Sequence, residues 1–116
     1  MDRVLRLIEA RSTGSVRLAE LSACAGVSGR TLHAMFHEAF GVSPMRYVRI
    51  QKLQMVHAAL ILADSNGLTV SGTCARLGLS DCGRVASDYR RLFGEYPSET
   101  LARRLRRKGM RARSVT

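Results

Sequence analysis

The sequence predicts an all-α fold of seven helices arranged as two similar halves, and three observations carry that prediction. Apolar residues recur at helical spacing along nearly the whole chain. Glycine, proline and capping serine or threonine interrupt that pattern at short intervals. No stretch alternates with period two for long enough to read as a strand.

Taken in order, Asp2 caps a first helix to about Arg11, with Val4, Leu5 and Ile8 on one face and Gly14 beyond its end. A short second helix runs near Leu18 to Ala25 and stops at Gly26. Ser28 caps a third, whose apolar face is Leu32, Met35, Phe36 and Phe40, and Gly41 closes it. Ser43 and Pro44 open a long fourth helix, to about Ala63, with Val48, Leu53, Val56 and Leu60 on its buried side. Asp64-Ser65-Asn66-Gly67 is the clearest linker. Thr69 caps a short fifth helix ending at Gly78. Ser80 caps a sixth, with Val85, Tyr89, Leu92 and Phe93 at i, i+4, i+7 and i+8. After Gly94, Pro97 and Ser98 start a seventh, to roughly Arg107.

Composition bounds the function classes. The chain has 116 residues, enough for one compact domain or two very small ones, and no apolar run near the length that spans a bilayer. Its N-terminus is charged and helical, unlike a signal peptide, so a soluble, cytoplasmic protein without a membrane partner is expected. Nineteen basic residues against nine acidic give +10, which favours polyanionic partners. Seven of those positive charges lie in residues 103–113, leaving +3 elsewhere, so charge by itself does not separate a nucleic-acid binder from a protein with a basic tail. Cys24, Cys74 and Cys82 are odd in number and lack a CxxC spacing, which points to reduced thiols used as small apolar fillers.

The most informative feature is an internal repeat. Residues 18–28 match 70–80 at an offset of 52, with Gly26, Val27 and Ser28 meeting Gly78, Leu79 and Ser80. Beyond that the offset becomes 53: Leu32 meets Val85, Phe36 meets Tyr89, Phe40 meets Phe93, Gly41 meets Gly94 and Pro44 meets Pro97. Each unit is a short helix, a glycine–apolar–serine turn and a longer amphipathic helix, which is the construction of a helix-turn-helix. The glycine supplies a left-handed turn, and the serine hydroxyl satisfies an orphan amide of the next helix. Ser22 and Cys74 are small where the two helices of each unit cross.

These two blocks, with Phe40-Gly41-Val42-Ser43-Pro44 closing the first and Phe93-Gly94-Glu95-Tyr96-Pro97 the second, resemble the AraC/XylS-type DNA-binding domain over about residues 3 to 104. The resemblance implies a bipartite domain at 1–107, made of homeodomain-like three-helix units. The first helix-turn-helix lies at about 18–40, the linker helix at about 44–63 and the second helix-turn-helix at about 70–93, followed by a basic tail at 108–116. It implies sequence-specific binding of double-stranded DNA, with two recognition helices in successive major grooves. A linker helix of about 30 Å suits the roughly 34 Å between such grooves.

Carried over by motif position, the base-reading residues of the first recognition helix are Arg30, His33 and Ala34, with His37 on the same face. Those of the second are Cys82, Gly83 and Ser87, with Arg84 beside them. Arg30 is the strongest candidate, because a guanidinium pairs bidentately with guanine O6 and N7. Cys82, Gly83 and Ser87 have little reach, so the second helix is expected to hold the backbone through Arg84, Arg90 and Arg91, leaving most specificity to the first. Thr73 replaces the large aliphatic residue usual in the fifth helix, which is expected to loosen that half.

Other readings carry less weight. His33 and His37 have metal-ligand spacing, but residue 34 is alanine and no third ligand is evident. No nucleophile–base–acid set or phosphate-cradling loop is present, so no enzyme and no cofactor are expected. Phe36, Phe40, Tyr89 and Phe93 are assigned to the core, which argues against base stacking and RNA. A non-specific, architectural nucleic-acid binder is the remaining alternative. The resemblance further implies RNA polymerase as a partner and a monomer on DNA.

Overall fold

The computed structural model describes residues 1–11, 14–64 and 67–109. Seven helices form among them: α1 (Asp2–Ala10), α2 (Leu18–Ala25), α3 (Gly29–Phe40), α4 (Pro44–Ile61), α5 (Val70–Arg76), α6 (Cys82–Phe93) and α7 (Pro97–Arg107). No strand occurs among the described residues. The chain divides into two compact units, Met1–Lys52 and Leu53–Thr116, so the division falls inside α4.

The first unit is built around Val4 and Ile8 of α1, Leu21 of α2, Leu32 and Phe36 of α3 and Val48 of α4, all buried. Fully covering an aliphatic or aromatic side chain contributes about 1.5–3 kcal/mol, which is what draws three short helices together. Arg11 and Glu20 pair at 2.7 Å across the α1–α2 connection, and the Glu20 carboxylate also accepts the Arg17 N–H at 3.3 Å.

Lys52 is a feature that the pattern reading passed over. It is buried, and its ammonium donates to the Gly14 carbonyl, fastening the loop before α2 to α4. Burial lowers its pKa from the usual lysine value. The sequence did carry a sign of this, since Val48, Lys52 and Val56 lie at i, i+4 and i+8 on one stripe.

In the second unit Leu53, Val56 and Leu60 of α4 pack with Cys74, Leu77, Leu79, Val85 and Tyr89, and with Leu101 and Leu105 of α7. Thr73 does not leave a polar gap, because its hydroxyl donates to the Thr69 carbonyl at 2.8 Å while the side chain stays buried. The run at 103–113 is not simply a tail, since Arg103, Arg104, Arg106 and Arg107 belong to α7. Arg104 Nε donates to the Ala63 carbonyl at 3.1 Å, and Lys108 reaches Asp64 at 2.9 Å. Residues 110–116, which include the rest of the expected basic tail, lie outside the described residues.

Several details differ from the sequence reading. Asp2 stands in the first turn of α1 with Met1 at the cap position, where its carboxylate complements the helix dipole without capping. α4 ends at Ile61, two residues before Ala63. Asp81, not Ser80, occupies the cap position of α6, because the extra residue in the second repeat is absorbed before that helix begins. Phe40 and Leu92, placed on buried faces, are 39% and 38% exposed. Phe40 instead lies against Tyr47, ring centroids 4.5 Å apart, on the rim of the first core.

Candidate nucleic-acid interface

Each recognition helix is launched by the same local structure. At the end of α2, Gly26 takes φ +71°, the Val27 N–H bonds to the Ser22 carbonyl at 3.2 Å and the Gly26 N–H to the Ala23 carbonyl at 3.2 Å. At the end of α5, Gly78 takes φ +78°, with Leu79 to Cys74 at 2.9 Å and Gly78 to Ala75 at 3.0 Å. The sequence offset of 52 is thus repeated in the hydrogen bonding, a glycine-centred closure that satisfies the last carbonyls of the first helix. A Cβ built on Gly29 would meet Leu18 Cδ2 at 3.7 Å and Ser22 Oγ at 3.8 Å, ordinary contact distances that place Ser22 against the start of α3. Ser28 Oγ then accepts the Thr31 N–H at 3.2 Å and sets the start of α3.

With Leu32 and Phe36 turned into the core, helical geometry sends Arg30, Ala34 and His37 to the opposite side, with His33 on its flank. All four are exposed. Among the described residues, no hydrogen bond or ion pair holds the side chains of Arg30, His33 or His37. Glu38, not singled out from the sequence, is exposed on the same side, four residues past Ala34. Its signal in the sequence is that same helical spacing. No group of three His, Cys, Asp or Glu able to hold a metal forms among the described residues.

On α6, Val85 and Tyr89 point inward, and Gly83, Arg84, Ser87, Arg90 and Arg91 are exposed. The side chain of Cys82 lies outside the described residues. Gly83 has open space around it, for a Cβ built there meets nothing within 4 Å. Arg84 Nε stands 4.0 Å from the Asp88 carboxylate one turn on, a loose pair that leaves the guanidinium largely in solvent. Arg90 lies over the ring of Tyr96, 5.1 Å from its centroid.

Behind this face a polar chain joins α6 to α7. The Tyr89 hydroxyl donates to Thr100 Oγ1 at 2.8 Å, and Thr100 donates to Glu95. Arg103 closes the chain with a two-pronged grip on the same carboxylate, its second prong at 2.8 Å. Hydrogen bonds from Arg103, then from Thr100, lower the Glu95 pKa from 4.5 to about 2. Burial pushes the Tyr89 phenol up, so it remains a donor. Because Glu95 is depressed in the folded state, its contribution is fully present above about pH 4.5 and fades as pH falls toward 2. Thermal melts between pH 5 and 2 should therefore show acid destabilisation that Glu95→Gln reduces; an unchanged acid profile in that variant would remove Glu95 as the cause.

Among the described residues no helix is long and apolar enough to cross a membrane. A helix-turn-helix domain family matches residues 21–103. The chain is 37% identical to the XylDLEGF operon transcriptional activator 2 of Pseudomonas putida, over 87% of this chain and 64% of that protein. It is 36% identical to activator 3 of the same operon, over 89% of this chain and 31% of that one. The chain thus spans less than two thirds of the length of either relative. Among solved structures it is similar to a probable AraC family transcriptional regulator from Rhodopseudomonas palustris, with TM-score 0.81 and 35% identity, over 89% of this chain and 94% of that one. The repeated launch of two recognition helices, the matched residues and these likenesses together place the chain in the AraC/XylS family of transcription regulators, as a DNA-binding domain of that family.

Proposed function

We propose that the chain regulates transcription by reading duplex sequence, with α3 as the main reader and α6 as a helix that chiefly holds the backbone. The observation that carries this reading is the strip Arg30, Ala34 and His37, exposed on α3 opposite its buried face with His33 exposed on its flank, none of them with a hydrogen bond or ion pair from its side chain among the described residues. Long donors there match the acceptor-rich edge of the major groove. The bare Gly83 and Ser87 of α6 offer little to read with, while Arg84 and Arg91 supply charge for phosphate. The role is binding rather than catalysis, on DNA in the cytoplasm, by a monomer that engages two half-sites and cooperates with RNA polymerase. The domain limits proposed are 1–107, with residues 108–116 as a basic extension.

Selection of bound duplexes from a random library at near-physiological salt tests this, with Arg30→Ala run in parallel. A defined motif should emerge, and the variant should lose about 1–3 kcal/mol of discrimination, roughly five- to 150-fold, at one half of it. Binding that survives without any enriched motif would replace this reading with an architectural one.

A further inference from the structure

The exposed strip of α6 runs through Gly83, Ser87 and Arg90, at i, i+4 and i+7. Arg90 is the one member of that strip with reach, and its guanidinium carbon lies over the Tyr96 ring, 5.1 Å from the centroid. The ring is fixed at its root. The Tyr96 N–H donates to Glu99 Oε1 at 2.9 Å, its carbonyl accepts the N–H groups of Glu99 and Thr100 at 3.0 and 3.2 Å, and Pro97 beside it is buried. Tyr96 itself is 42% exposed.

The nearby acids are already engaged, Glu95 of the α6–α7 turn by Arg103 and Thr100, and Glu99 of the first turn of α7 by the Tyr96 N–H. Among the described residues Arg90 has no carboxylate partner. A guanidinium lying on an aromatic face keeps its in-plane N–H fork free, and that fork matches two oxygens of a phosphate. Holding the side chain in place in advance also removes rotamer freedom that would otherwise be lost on binding.

We propose that Tyr96 is a positioning residue that presents Arg90 to a phosphate of the duplex backbone. The assignment rests on the DNA-reading function proposed above. It gives α6 a fixed anchor beside positions that are nearly bare, and it separates Arg90 from Arg84, which has only a loose partner on its own helix.

The test is a salt titration of the whole chain on its selected duplex and on random duplex. Arg90→Ala should weaken both to the same degree and lower the slope of log affinity against log salt by about 1. Tyr96→Leu should weaken both about two- to fivefold, Tyr96→Phe should behave as wild type, and adding Tyr96→Leu to Arg90→Ala should cost nothing more. An unchanged slope in Arg90→Ala, or an altered base preference in its selected motif, would overturn the phosphate assignment. Additive losses in the double variant would overturn the positioning role, whatever Tyr96→Leu does to folding. These outcomes all presuppose that the wild-type chain binds duplex; if it does not, the DNA-reading function itself falls and this assignment with it.

Discussion

Phe36→Ala should destabilise the first unit by about 3–5 kcal/mol, the range for emptying a fully covered aromatic site. Phe36 is wholly buried, with the rings of Phe40 and Tyr47 at 5.5 and 5.4 Å from its own. The unit holds only residues 1–52, and small domains have little stability in reserve. Loss of amide protection in α1, α2 and α3, followed by hydrogen exchange, is the expected result. Phe40→Ala is the matched control: its ring is 39% exposed, so a cost below about 1.5 kcal/mol is expected. Equal losses from the two substitutions would show that the core is not centred on Phe36.

The second large effect is expected at Thr100→Val, a change of nearly constant volume. Thr100 is 1% exposed and serves as acceptor for the fully buried Tyr89 hydroxyl and donor to Glu95. Valine keeps the packing but leaves the Tyr89 hydroxyl without its acceptor in the interior, which costs about 1–3 kcal/mol. Tyr89→Phe should cost less, because Thr100 keeps its bond to Glu95. The double variant should be more stable than Thr100→Val alone, since the stranded hydroxyl is gone. Denaturant unfolding of the three variants decides it: a double variant no better than Thr100→Val would mean that the hydroxyl finds another partner.

The repeat made much of this legible. Glycine at matched offsets fixed both turns, and the buried face of α4 was readable from Val48, Leu53, Val56 and Leu60 alone. What escaped was whatever depends on a partner from another helix or turn. Periodicity placed Phe40 on the inner face of α3, but its ring lies at the helix end, where Tyr47 covers it only partly. Glu95, Arg103, Tyr89 and Thr100 are polar residues in three different sequence neighbourhoods, and no local pattern announces that they form one chain. Helix starts were readable where a hydroxyl caps them, at Ser28 and Thr69, and misread at α6, where an inserted residue moves the start past Ser80. On α3 the motif positions are Arg30, His33 and Ala34, and the burial of Leu32 and Phe36 leaves them exposed together with His37 and Glu38.

Gly83 bears on how such a regulator changes its target. A side chain grown at that position points into empty space and asks nothing of the core, so it can be varied without repacking anything beneath it. The fold therefore leaves an exposed, unfilled position near the start of α6. On the DNA-reading function proposed above, a longer side chain at position 83 would add a contact from α6 without disturbing the fold beneath it.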